Sequence, residues 1–304
     1  MKELLDRLIE KNKPLTDKGQ VASYIPALKK ANPKDLGICI LDIEGNLYCA
    51  GDYDRKFTMQ SISKVMALIL ALMDNGERVF ERVGMKPADY AFNSLYKLDL
   101  PHGDKPANPM INAGAIVTTS LIKGEGEEKF DRLLKLLREI SSNQHIKYNE
   151  EVYLSEKATA DKNRAIAYLL KNKGLLEGDV EEILNAYFKQ CSIEVDCIDL
   201  ARIGIFLASK GRPLGSDDKL VDEEIINTSL AIMTSCGMYD YSGEYLAQVG
   251  IPAKSGVAGG VLAVVPNRFG IGVYAPALDQ YGNSLAGLEL LKDLSKELKL
   301  SIFS

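Results

Sequence analysis

Ser61 and Lys64 stand three residues apart in S-I-S-K, at the mouth of the most apolar run in the chain, V-M-A-L-I-L-A-L-M at residues 65–73. On a helix that spacing puts both side chains on one face. A serine at a helix N-terminus meets backbone N–H groups that can stabilise an oxyanion. A lysine desolvated by apolar neighbours can lose its proton near neutral pH and act as base. The same spacing recurs at Ser120/Lys123 and Ser216/Lys219, but only the first pair opens so apolar a helix, and Ser216 lies in the polar loop G-R-P-L-G-S-D-D-K. A second signal is K-S-G-V-A-G-G at residues 254–260, the one K-[ST]-G of the sequence. Serine acyl-enzymes combine S-x-x-K with such a segment, because a strand edge can align a substrate and lend an N–H to the oxyanion hole. Their third box, S-D-N, is absent, and Tyr-Ser-Gly at residues 241–243 is a poor substitute.

These residues need a frame. Leu4, Leu5, Leu8 and Ile9 recur at helical spacing, and residues 16–30 read as a second helix broken or kinked at Pro26. From Leu36, G-I-C-I-L-D-I, E-G-N and L-Y-C-A-G-D read as a β-hairpin. Helical periodicity then dominates from about residue 61 to 235. Strands return at residues 254–274, turning at Asn267 and Arg268, and a last helix covers about residues 284–298. Two hairpins far apart in sequence gain stability by joining one sheet. The expected fold is therefore α+β: an antiparallel sheet flanked by helices, built from residues 1–60 and 236–304, with residues 61–235 as an inserted helical subdomain. The two parts form one catalytic unit with the site in the cleft between them.

Composition narrows the chemistry. With 304 residues, 46% hydrophobic and a net charge of −5, the chain can bury a sizeable core and lacks the basic balance of a nucleic-acid binder. The nine-residue apolar run is too short to span a bilayer. Charges pass through M-K-E-L-L-D-R-L-I-E-K, where a signal peptide would be apolar, so a cytoplasmic protein is expected, with its five cysteines free and reduced. Only two histidines, His102 and His145, are present. A histidine-rich metal site is out of reach, and a lysine base becomes the more plausible partner for a serine.

Five segments, F-T-M-Q-S-I-S-K (57–64), N-P-M-I-N-A-G-A-I (108–116), C-S-I-E-V (191–195), S-C-G-M-Y-D (235–240) and K-S-G-V-A-G-G, closely resemble the serine-dependent glutaminase family. The resemblance extends from about Tyr24 to Asn283 and implies a β-lactamase/transpeptidase-like fold, in agreement with the order of elements. It implies Ser61 as nucleophile, Lys64 as its partner in proton transfer and Tyr239 as the phenol working with Lys64. It further implies that L-glutamine is held by Tyr24, Gln60, Asn112, Glu156, Asn163, Tyr187 and Tyr239, with the backbone N–H of Val257 joining that of Ser61 in the oxyanion hole. An anion such as Glu156 suits the free α-ammonium of glutamine, which a penicillin lacks.

The resemblance is to the compact bacterial type and implies a homo-oligomer, a tetramer, working without metal or organic cofactor, nucleic acid or membrane. Two other readings keep the same residues: a β-lactamase or penicillin-binding enzyme, and a non-catalytic ligand sensor that has retained the pocket. The missing signal segment and S-D-N box count against the first, and the intact serine, lysine and tyrosine against the second.

Overall fold

The computed structural model describes residues 1–88, 91–95 and 105–304; His102 lies outside them. Leu5 and Leu8 bury one face of the helix Lys2–Asn12 against the C-terminal helix Leu285–Leu298, where Leu290, Leu291 and Leu294 are fully buried. Between and below lies a five-stranded antiparallel sheet in the order β2-β1-β8-β7-β6, comprising β1 (Gly37–Asp42), β2 (Leu47–Gly51), β6 (Ala253–Ser255), β7 (Gly260–Val265) and β8 (Phe269–Tyr274). The two hairpins of the sequence meet at the β1–β8 pairing.

Every residue of β1 and β7 is buried because both faces of the sheet are covered. Alternation sorts them. Ile38, Ile40, Val261, Ala263, Ile271 and Val273 face the terminal helices. Cys39, Leu41, Leu262, Val264 and Tyr274 face the opposite core, shared with the helix Cys197–Ala208. On that second face β8 presents Gly270 and Gly272, and a Cβ on either would fall within 2.2 Å of the helix backbone. The helix therefore packs directly on the strand. It lies inside the 61–235 segment by sequence, yet its neighbours are β1, β7 and β8.

A second, three-stranded sheet, β3-β5-β4, was not foreseen; it joins β3 (Phe57–Thr58), β5 (Ile193–Val195) and β4 (Lys147–Tyr148). Small as it is, it ties the segment before Ser61 to the end of the helix Val180–Cys191 and to the start of the helix Glu150–Ala158. Met59 N donates to Ile193 O at 2.8 Å and Asn149 N to Ser192 O at 2.8 Å.

Two expectations are corrected. Residues 16–30 do not form a helix: 3₁₀ turns occupy Lys13–Asp17 and Pro26–Lys30. The chain between them is drawn out because Gln20 bridges to Leu278, while Gly19 lies so close to Ala277 that a Cβ would fall 2.7 Å from its carbonyl carbon. Nor are all five cysteines free. Cys39 and Cys49 are directly opposed in the β1–β2 register, Cα atoms 4.2 Å apart, and form a disulfide, whereas Cys191, Cys197 and Cys236 are free and buried. Among the described residues no helix is long and apolar enough to cross a membrane.

Candidate active site

Ser61 sits in a one-turn 3₁₀ helix, Gln60–Ile62, leading into the helix Ser63–Asn75, whose residues 63–72 are all buried. Gln60 reaches this turn with φ of 48°, a left-handed backbone that L-residues adopt only when their surroundings impose it. The surroundings are Ile193 on one side and Gly256 on the other, where a Cβ would fall 2.5 Å from Met59 O. Gly256 is thus the point at which the K-S-G segment closes on the serine turn, and it brings Val257, 4% exposed, beside Tyr239 in a shared apolar cluster.

Lys64 is fully buried, and burial lowers its pKa to about 8, with Cys191 and Glu156 pulling the other way. Its Nζ donates to Asn112 Oδ1 at 2.7 Å and to Met110 O at 3.3 Å. Asn112 begins the helix Asn112–Leu121 and passes the contact on, Nδ2 donating to Asn163 Oδ1 at 3.0 Å. The polar partner that the sequence lacked as S-D-N is therefore supplied by I-N-A-G-A.

Tyr239 lies against the K-S-G segment, in one apolar cluster with Val257. Burial raises its phenol above the usual range, with the nearby Ser61 hydroxyl pulling the other way. The phenol also donates to Ser255 O at 3.2 Å. Phe92 covers this pair, its ring centroid 4.7 Å from that of Tyr239 and 5.9 Å from Lys64 Nζ. Such cover excludes water and keeps the local dielectric low, which strengthens every charge interaction inside.

Facing these groups is a buried carboxyl. Glu156 is raised to about 8 by burial, against the opposing pull of Lys64 and a hydrogen bond from Gln60. Its Oε2 has no hydrogen-bond partner among the described residues. Tyr187 lies one helical turn before Cys191, and burial together with nearby Cys191 and Glu156 raises its phenol. Tyr24 is the outermost: 58% of the residue is exposed, while its phenol is raised by burial of that end and by Tyr239 and Glu156. Hydrogen bonds join Lys64 to Asn112 and Asn112 to Asn163, nearby charges link Glu156 with Lys64, Tyr24 and Tyr187, and Val257 packs with Tyr239.

The S-x-x-K copies at Ser120 and Ser216 are elsewhere: Ser120 Oγ donates back to Val117 O at 2.7 Å, and Lys123 and Lys219 are exposed. His145 is likewise exposed. Lys254 opens the K-S-G segment, and the sequence gives it no role beyond that motif. It is fully buried, with Nζ 4.4 Å from the Tyr239 ring centroid and donating to Gly237 O and Ser255 O at 2.9 and 2.7 Å. Burial and the nearby Lys64 hold its pKa well below the ordinary lysine value.

The glutaminase family profile matches residues 19–303. The chain is 56% identical to a glutaminase of Clostridioides difficile strain 630, over 99% of this chain and 98% of that one, and 53% identical to a glutaminase of Clostridium tetani over the whole of both. Among solved structures, a probable glutaminase from Bacillus subtilis complexed with 6-diazo-5-oxo-L-norleucine superposes with a TM-score of 0.91 at 42% identity, covering 98% of this chain and 95% of that one. A covalent complex between a Bacillus subtilis glutaminase and 5-oxo-L-norleucine, formed by reaction with the same diazo compound, matches at 0.91 and 42%, over 99% of both chains.

Proposed function

The chain belongs to the glutaminase family and is an amidohydrolase that converts glutamine to glutamate, and from this premise we propose that it works through an acyl-serine intermediate. The observation that carries the reading is the packing of the K-S-G segment, whose Ser255 O accepts from the Tyr239 phenol at 3.2 Å and whose Gly256 would place a Cβ 2.5 Å from Met59 O, onto the turn of Ser61 that leads into the helix holding the fully buried Lys64. Ser61 attacks the γ-amide carbon, and its proton passes by way of Tyr239 and Lys64 to the departing nitrogen. Ammonia leaves, and water, deprotonated by the same groups, resolves the ester to glutamate. The backbone N–H groups of Ser61 and Val257 hold the oxyanion.

Glu156 takes the α-ammonium through the oxygen that has no protein partner. The amides of Asn112 and Asn163, with Gln60 and the phenols of Tyr24 and Tyr187, orient the rest of the amino acid. That a relative at 42% identity forms a covalent complex on reaction with a diazo-ketone glutamine analogue supports a nucleophile in this site. The reading includes a homotetramer acting in the cytoplasm, open to sedimentation and fractionation.

The test is ammonia release from L-glutamine by the purified protein and its Ser61→Ala variant, with asparagine and nitrocefin in parallel. Turnover of glutamine that disappears in the variant, together with a mass increase at Ser61 after treatment with 6-diazo-5-oxo-L-norleucine, is the expected result. Ammonia release that survives the substitution sinks the acyl-serine step.

A further inference from the structure

The turn that carries Tyr239 is gripped by its carbonyl oxygens. The helix Glu223–Cys236 stops at Gly237, where a Cβ would fall 1.8 Å from Ala253 O, and two residues later Tyr239 takes φ of 53°. Across that reversal three consecutive carbonyls each accept from a buried side chain. Gly237 O accepts from Lys254 Nζ at 2.9 Å, Met238 O from Asn283 Nδ2 at 3.2 Å, and Tyr239 O from Ser242 Oγ at 2.7 Å. Ser242 is local and also accepts from Met238 N at 3.0 Å. Asn283 comes from a separate loop.

That loop is built to hold Asn283 still. Asp279 Oδ1 accepts from the backbone N–H of Tyr281 and Asn283 at 2.8 and 2.9 Å, and Asp279 N donates to Asn283 O at 2.8 Å. Asn283 is fully buried, and its Oδ1 has no partner among the described residues. The contact with Met238 O therefore fixes which way round the amide sits, since the reverse orientation would set two oxygens against each other. The neighbouring Gly282, at φ of 88°, lies against the tyrosine itself: a Cβ there would stand 3.9 Å from Tyr239 Cε2 and 3.7 Å from Val257 Cγ1.

We propose that Asn283 is a positioning residue for the catalytic phenol: by holding Met238 O it fixes the left-handed turn that aims the Tyr239 hydroxyl at Ser61. The inference rests on the reading above that Tyr239 moves the serine proton. A left-handed tyrosine persists only where several contacts over-determine it. Without the Asn283 donor, Met238 O keeps only the local bond from Tyr241 N at 3.1 Å, and the carbonyl at the reversal loses its tie to the loop that carries Asn283. A displacement of about 1 Å at the hydroxyl is enough to cost on the order of 100-fold in rate. The substrate contacts at Glu156, Asn112 and Asn163 lie on other elements and are untouched.

The experiment compares wild type, Asn283→Ala, Asn283→Asp and Tyr239→Phe by steady-state glutamine turnover and by the rate of labelling with 6-diazo-5-oxo-L-norleucine, which reads slow variants. Asn283→Asp keeps size and shape while trading the N–H donor for a carboxyl oxygen, so it serves if the alanine variant does not fold, and the Tyr239→Phe background separates loss of aim from the effect of the new carboxyl. The expected result is a fall in kcat on the order of 30- to 100-fold with KM within about threefold, in variants that still melt cooperatively. In a Tyr239→Phe background the Asn283→Asp substitution should cost less than about threefold, there being no hydroxyl left to aim. If Tyr239→Phe is crippled while the Asn283 variants keep kcat, or lose only KM, or lose as much in both backgrounds, the positioning role is overturned. If Tyr239→Phe itself keeps wild-type kcat, it is the underlying assignment of the phenol that fails.

Discussion

Lys64 Nζ and Asn112 Oδ1 stand 2.7 Å apart, which makes one amide both the neighbour of the buried lysine and, through Nδ2, the partner of Asn163. In the proposed reaction Asn112 therefore does more than hold substrate: it also fixes where the lysine nitrogen points. Asn112→Ala leaves Lys64 with Met110 O alone, and a fall in kcat/KM of about 100-fold is expected. Asn112→Asp is the more informative change. An adjacent carboxylate favours the ammonium form and should raise the lysine pKa by roughly 1–3 units. The low-pH limb of the rate profile then moves up by the same amount, and a limb that stays in place disconnects Asn112 from the base.

The wild-type rate profile has its own signature. Proton acceptance needs Lys64 neutral, and capture of the α-ammonium needs Glu156 ionised; both groups are placed at about 8 by burial. Each requirement is lost as pH falls through 8. The value of kcat/KM should therefore rise through that region, with a slope above one below the limb, because this ratio reports the free enzyme. In Glu156→Gln the slope should drop to one and the affinity for glutamine fall. A profile flat from pH 6 to 9 contradicts both assignments.

The same carboxyl bears on stability with a defined sign. Burial raises the Glu156 carboxyl from its ordinary 4.5 to about 8 in the fold. Between those values the unfolded chain has released a proton that the folded chain retains, so stability falls as pH rises through the window. Lys64, lowered from 10.5 to about 8, works oppositely between 8 and 10.5, where its contribution recovers. Glu156→Gln should therefore melt above wild type, with the gap widening from pH 5 to pH 8. Measured by calorimetry, a gap that narrows over that range would falsify the buried-carboxyl assignment.

How far the site was legible depended on what kind of signal it left. Ser61, Lys64 and the K-S-G segment announce themselves through residue type and spacing. Tyr239, Glu156 and Asn163 do not: a phenol, an acid and an amide at those positions mean something only beside the family motifs. The sheet was readable because β1, β2, β7 and β8 are apolar runs bounded by turns. The small β3-β5-β4 sheet was not, since strands of two or three residues carry no periodicity. Lys254 and Asn283 are illegible in the sequence for a related reason. Their importance lies in which carbonyls they reach, and those carbonyls come into range only once the helix Glu223–Cys236 has ended and the chain has reversed.

The disulfide belongs with those unread features, because Cys39 and Cys49 become partners only in the β1–β2 register. With one disulfide and three free cysteines, unfolded but unreduced protein should titrate three thiols, and reduced protein five. A bridge closing a loop of this size contributes about 2–3 kcal/mol. The Cys39→Ala/Cys49→Ala variant should then melt roughly 3–5 °C lower while retaining glutamine turnover, since both cysteines belong to the β1–β2 hairpin. Five thiols without reductant would restore the expectation of free cysteines.

The contact between β8 and the helix Cys197–Ala208 tests the frame rather than the chemistry. A Cβ on Gly270 would fall 2.0 Å from Ile205 N and 2.1 Å from Ala201 O. Both are helix backbone atoms and cannot rotate away as a side chain would. Relief requires lifting the helix off the strand, which opens the core shared by Leu262, Val264 and Leu200. Gly270→Ala should therefore destabilise by about 3 kcal/mol or more, read as an early urea midpoint with an unchanged slope. Gly243, exposed in the helix Ser242–Gln248 with nothing within 4 Å of an added Cβ, should respond oppositely, gaining up to about 1 kcal/mol as alanine. The opposite signs separate crowding at one backbone contact from any general response to a methyl group, and a tolerated Gly270→Ala would mean that the helix stands further from the sheet than the structure places it.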